Sequence, residues 1–140
     1  MASVVMSKHC KEHLKELKDE NPEKLRQAFE KLELNFLKPV SIDYTTNELE
    51  GKYKPSWELR DTFSSKTQFR EQFASLSREY NLHHYHYGFP YYQEGRDKVY
   101  PGKESDGIVH TTVLADGRHA IYQVDLKHPN PWRIPLKLEL

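Results

Sequence analysis

Six of the chain's eight histidines fall between Leu82 and His128, interleaved with Tyr85, Tyr87, Tyr91, Tyr92, Tyr100 and Tyr122. Histidine titrates near pH 6.5 and so gives and takes protons in neutral solution; tyrosine adds a hydroxyl and a flat face for stacking. The combination points to proton transfer on an aromatic substrate, a nucleotide in particular. His84 and His86 are two residues apart in an apparent strand and therefore share one face. If that strand pairs with Ile108 to Leu114, His110 joins them and three imidazoles gather on one open surface.

The elements that must position these residues read as follows. Ser7 caps a first helix carrying Cys10, Leu14 and Leu17 at spacings of three and four, and Asn21-Pro22-Glu23 restarts the chain as a second helix. Leu25, Ala28, Phe29 and Leu32 form its apolar stripe. Helical character spans 7–34. A connector follows over 35–61, broken by Pro39, Gly51 and Pro55, with one extended piece near Val40 to Thr45. Ser65 and Gln68 form a capping box for a helix over 65–80, with Phe69, Phe73, Leu76 and Tyr80 on its apolar side and Asn81 as a left-handed stop. The region 82–140 holds the sheet and the reactive residues, with a long polar loop from Gly88 to Gly107 and an edge strand over Arg133 to Leu140. The expected fold is α+β, two or three N-terminal helices packed on a small antiparallel sheet in one domain.

Asp116-Gly117 predicts a two-residue turn between Ile108–Leu114 and His119–Leu126. In that register Leu114 faces His119, Thr111 faces Tyr122, His110 faces Gln123 and Val109 faces Val124. One face then carries Val109, Thr111, Val113, Ala120, Tyr122, Val124 and Leu126 as core. The other carries Ile108, His110, Thr112, Leu114, His119, Ile121, Gln123 and Asp125.

Lysine plus arginine equal aspartate plus glutamate at 21 each. No global field draws the protein to bare nucleic acid or to a membrane, although a local cationic site remains open. Cys10 is the single cysteine, so no internal disulfide forms and a reducing, cytoplasmic setting is expected. The apolar run Val4 to Met6 is too short for a signal peptide or a spanning helix. No glycine-rich phosphate loop, Ser-His-Asp order or dinucleotide motif occurs, and no cofactor is expected.

The order Leu82-His83-His84-Tyr85-His86, Phe89-Pro90, Lys103-Glu104-Ser105-Asp106, Ile108-Val109-His110 and Ala120-Ile121-Tyr122-Gln123-Val124 resembles the YafO family of type II toxins, within the RelE/ParE-like superfamily. Ser3 to Met6 is the candidate for the N-terminal strand of that fold. The resemblance implies a RelE-like toxin fold and a ribosome-associated mRNA endoribonuclease that blocks translation and is neutralised by a cognate antitoxin. It implies His84 and His86 as base and acid, Lys103 and Arg118 as phosphate partners, and Ser105 and Asp106 as orienting residues. His110, Tyr122, His128 and Tyr85 are implied for relay, stacking or substrate contact.

Other readings compete. Strand histidines and tyrosines also serve simply to cover a sheet, Asp106 suits a turn before Gly107, and Lys103 and Arg118 suit solvent. His84-x-His86 is also a spacing that aims two imidazoles at one ion, with His110 or Asp106 as third ligand. A third class is a non-catalytic, ParE-like inhibitor that binds a protein target.

Overall fold

The computed structural model describes residues 3–58 and 67–127, with the side chains of 67–70 outside that description. His128, the edge strand expected over Arg133 to Leu140 and the cap Ser65 lie outside the described residues. Strand β1 (Val4–Met6) leads into helix α1 (Lys8–Glu20), and α2 (Pro22–Leu32) follows after the single residue Asn21. Ser7 is the cap expected: its Oγ accepts the Cys10 amide at 3.0 Å and donates to the Tyr122 carbonyl at 3.2 Å, so one side chain both starts α1 and ties it to the sheet. Asn21 works twice as well, accepting the Lys24 amide through its side chain while its own N–H reaches the Leu17 carbonyl.

The helical layer does not end at residue 34. A π-helical turn, Glu33–Leu37, carries α2 into the one-turn helix α3 (Lys38–Ser41), correcting the connector expected there and the extended piece at Val40. The physical reason lies at Pro39, which has no N–H to give to a carbonyl four residues back. The wider turn shifts the bonding, with the Lys38 amide reaching Glu33, so the chain stays helical across the proline. Leu32, Phe36 and Val40 thereby stand at spacings of four, all fully buried. Phe29, expected beside them, is 36% exposed.

The extended piece of this region is instead β2 (Tyr53–Pro55), and Pro55 is tolerated because β2 is an edge strand. Gly51 just before it is required: a Cβ there would fall 2.0 Å from the His86 carbonyl oxygen. Helix α4 (Thr67–Glu79) ends as expected at Asn81, with φ 51, and the Leu82 amide closes back on the Ser77 carbonyl at 2.8 Å. Among its described side chains Phe73 and Ser77 are buried, whereas Leu76 and the following Tyr80 are exposed; Phe69 and Gln68 lie outside the described side chains.

Among the described residues, strands β3 (His83–His86), β4 (Ile108–Val113) and β5 (His119–Asp125) join β1 and β2 in a five-stranded sheet of order β1-β5-β4-β3-β2. All neighbours are antiparallel except β1, which runs parallel to β5. The fold is therefore α+β, but its helices are not all N-terminal, since α4 lies between β2 and β3.

The β4–β5 hairpin departs from the expected register in two places. The turn holds three residues: Gly117, at φ 89, donates to Leu114, and the Leu114 amide reaches Arg118, so Val113 rather than Leu114 pairs with His119. Between Thr111↔Ile121 and His110↔Gln123 the partner numbering jumps, leaving Tyr122 as an extra residue in a β-bulge. The bulge undoes the shift, so His110↔Gln123 and Val109↔Val124 stand as expected. Between bulge and turn the faces of β5 are exchanged. Ile121 joins the core with Cys10, Ala28, Leu32, Phe36, Val40, Tyr85, Tyr87, Val109 and Val124, and His119 meets the Phe36 ring edge-on at 5.8 Å. Val113, expected in the core, is 41% exposed.

Burial inside this core, with the charge of Asp125 adding to it, pushes the Cys10 thiol up to about 12. Because the thiolate is the reactive form, Cys10 should resist thiol reagents at about pH 8 in the native protein and react once denaturant is added. Rapid native labelling would contradict this burial.

Candidate functional site

Cross-strand pairing places the reactive residues in two rows on the sheet face turned away from the core residues Tyr85, Val109, Ile121 and Val124, because directly paired residues share a face. The first row is Lys54, His84, His110 and Gln123, one residue from each of β2, β3, β4 and β5. The second row is Lys52, His86, Ile108 and Asp125; the His86 amide donates to the Lys52 carbonyl at 3.1 Å, and Ile108 pairs with both His86 and Asp125. The three imidazoles expected on one face are together. The His84 and His86 rings meet edge to face at 5.8 Å.

The face is closed rather than open, with His84, His86 and His110 only 6%, 3% and 0% exposed. Burial at this level demands hydrogen-bond partners. Nδ1 of His84 meets Ser56 Oγ at 2.9 Å, and Nδ1 of His86 lies 3.0 Å from the Ser105 amide nitrogen and 2.8 Å from the Ser105 carbonyl oxygen. Ser105 Oγ holds the loop beneath, accepting the Gly88 amide and donating to the Gly107 carbonyl, both at 2.9 Å. His110 Nε2 contacts Asp125 Oδ2 at 2.7 Å, and Gln123 donates to Asp125 while its own oxygen meets His9 Nε2 at 2.8 Å.

At the β2 end Lys52 and Lys54 are 3% and 6% exposed. An unpaired ammonium so placed costs several kcal/mol, and carboxylates from the Gly88–Gly107 loop meet both. Lys54 Nζ lies 2.7 Å from Asp97 Oδ2, and Lys52 Nζ lies 3.4 Å from Glu104 and 3.9 Å from Asp97. The Tyr100 ring covers Lys54 at 5.5 Å. Burial alone would raise the Asp97 carboxyl, but the bonds from Lys54 and from the Tyr100 and Val99 amides outweigh it and hold the group well below the usual aspartate range. The folded protein thus keeps Asp97 charged to lower pH than the unfolded chain does. Its contribution is complete above the ordinary value of about 3.9 and falls away as the pH drops beneath it. Acidification should therefore speed amide exchange, corrected for intrinsic rates, at Val99 and Tyr100 before it does so in β4 and β5. Simultaneous loss would contradict this.

The remaining residues singled out in the sequence are placed elsewhere. Lys103 pairs with Glu50 at the surface at 3.0 Å, and Arg118 sits in the hairpin turn, paired with Asp116 at 2.7 Å. His110 is four residues along β4 from the turn position facing Arg118, roughly 13 Å at strand rise. Asp106 is exposed. Tyr85 belongs to the opposite, helix-covered face, where its hydroxyl accepts the Gly51 amide and bonds to Tyr92, which in turn donates to the His86 carbonyl. Tyr122 is the bulge residue and is 3% exposed; burial, reinforced by Tyr80, raises its phenol. Lys52, Lys54, Ser56, Asp97 and Asp125 carry the site without having been singled out. The alternation Lys52-x-Lys54 was the available signal.

Among the described residues no group of three or more His, Cys, Asp or Glu is placed to hold a metal ion, so His84-x-His86 has no third ligand there. Among the same residues no helix is long and apolar enough to cross a membrane. A cleft of about 360 Å³ lies away from the histidines, between Leu34, Pro39, Ile42, Tyr44, Leu49 and the helix-side ring of Tyr85. A scan against family models finds no match to this chain, and neither curated proteins nor solved structures give one.

Proposed function

We propose that this chain is an endoribonuclease that cuts mRNA by metal-independent acid–base chemistry, acting in the cytoplasm as the toxin of a type II toxin–antitoxin pair. The observation that carries the reading is the row pattern, which sets His84 and His86 beside Lys54 and Lys52 on one sheet face. In the proposed reaction one imidazole takes the proton of an RNA 2′-hydroxyl, and that oxygen forms a bond to the adjacent phosphorus. The P–O5′ bond breaks, and the second imidazole gives its proton to the departing oxygen, leaving a 2′,3′-cyclic phosphate and a 5′-hydroxyl. The ammonium groups of Lys52 and Lys54 offset the charge that builds on the phosphorane, in place of Lys103 and Arg118. His110, oriented by Asp125, stands next to His84 for proton relay.

The YafO-like order of motifs supports the ribosome and a cognate antitoxin as partners. For a RelE-like fold the support is the N-terminal strand Val4–Met6 beside β5, followed at once by two helices. The test is cleavage of end-labelled mRNA by the purified protein, with and without ribosomes and with and without a chelator selective for transition metals, which leaves the Mg²⁺ that ribosomes need in place. Ribosome-dependent cuts that survive chelation are expected; cuts lost on chelation would contradict the mechanism.

A second reading, a non-catalytic inhibitor of a protein target, is favoured by the closure of the histidine face. It predicts no cleavage under any of these conditions, and toxicity unchanged by substitution of His84 and His86.

A further inference from the structure

We propose that Lys52 and Lys54 form a phosphate-binding site that the protein keeps closed with its own loop, Asp97 standing where a phosphate oxygen binds once the loop tip swings away. The inference takes its RNA context from the function proposed above, but the anion site itself stands on geometry. Lys54 of the edge strand β2 and Lys52 just before it converge on Asp97 Oδ2, at 2.7 and 3.9 Å, and Lys52 also reaches Glu104 Oε2 at 3.4 Å. Paired ammonium groups around one anionic oxygen recognise a phosphate as readily as a carboxylate.

The tip is built to leave. Its neck is fastened by two backbone bonds between Gln93 and Glu104, at 2.8 and 2.9 Å, and by the Lys52 amide on the Lys103 carbonyl at 2.8 Å. Beyond the neck, residues 94–101 bury no apolar side chain, and Val99 is 77% exposed. What holds the tip down is polar: Asp97 on the lysines, the Tyr100 ring over Lys54, and the Arg96 amide on Glu104 at 2.8 Å. A segment without buried apolar contacts belongs to the low-stability end of a fold and opens locally. Gly102, at φ 119, lets the returning strand lie on Lys52, since a Cβ there would fall 2.6 Å from the Lys52 backbone. An incoming phosphate would replace one anion with another, so the lysines need not be left buried and unpaired while the tip moves.

The test titrates inorganic pyrophosphate, and separately a short oligoribonucleotide, into the full chain and its variants. Asp97→Asn should bind pyrophosphate at least tenfold more tightly than the parent, and adding Lys54→Met should remove the gain. No gain in a folded Asp97→Asn protein, or a gain that survives Lys54→Met, would overturn the proposal. Should Asp97→Asn fail to fold, Tyr100→Ala keeps every charge and loosens only the latch. It should give a smaller gain together with faster amide exchange over 96–101, and the absence of both would equally overturn the proposal. A gain for pyrophosphate and oligoribonucleotide alike supports the site on an RNA path. A gain for pyrophosphate alone upholds the anion site and counts against the ribonuclease reading.

Discussion

Replacing His84 or His86 with alanine is expected to slow RNA cleavage about 10²- to 10⁴-fold, the range removed when a positioned acid or base is lost. Both rings also fill buried space and meet serine partners, so a melting curve must accompany each rate to separate chemistry from folding. His83→Ala is the internal control. That ring is half-buried, stacks on Tyr53 at 5.0 Å and stands outside the two rows. Its loss should leave cleavage near the parent rate. Folded His84 and His86 variants that cut like the parent would remove these residues from the mechanism.

Phe36→Ala should produce the largest loss of stability. Phe36 is fully buried on the π-helical turn, stacked on Tyr85 at 5.2 Å and edge-on to His119 at 5.8 Å. It joins the helical layer to β3 and β5 at one point. Truncating a phenylalanine so placed costs about 3–5 kcal/mol, lowering Tm by on the order of 10 °C or more in a domain of this size. The damage should reach the site, because Tyr85 is tied through Tyr92 to the backbone of His86. Denaturant unfolding monitored by tryptophan fluorescence and circular dichroism checks it, and a loss below about 1 kcal/mol would show that Phe36 does not join these layers.

Helix ends were legible in the sequence because caps are local chemistry: Ser7, Asn21-Pro22 and Asn81 act within a few residues of themselves. The stretch past Asn35 was not, because Pro39 reads as a breaker and only the π-helical turn before it lets the helix continue. The hairpin was half legible. Asp116-Gly117 marks a turn but not its length, and the bulge at Tyr122 that restores the register arises where β5 meets Ser7 and β1. His84, His86 and His110 could be placed together from strand alternation alone. Lys52 and Lys54 could not, since lysine is solvated by default and Gly51 and Pro55 hide their strand. Their burial follows from Asp97, more than forty residues on along the chain, which no local pattern connects to them.

The most direct test of the central claim is cleavage of an mRNA carrying a single 2′-deoxynucleotide on the 5′ side of a mapped cut, compared with the all-ribose strand. The proposed chemistry requires the 2′-oxygen as nucleophile. Cleavage should therefore vanish at that position alone, and the unmodified strand should end in a 2′,3′-cyclic phosphate. Undiminished cutting at the deoxy position, through water attack, would contradict the mechanism.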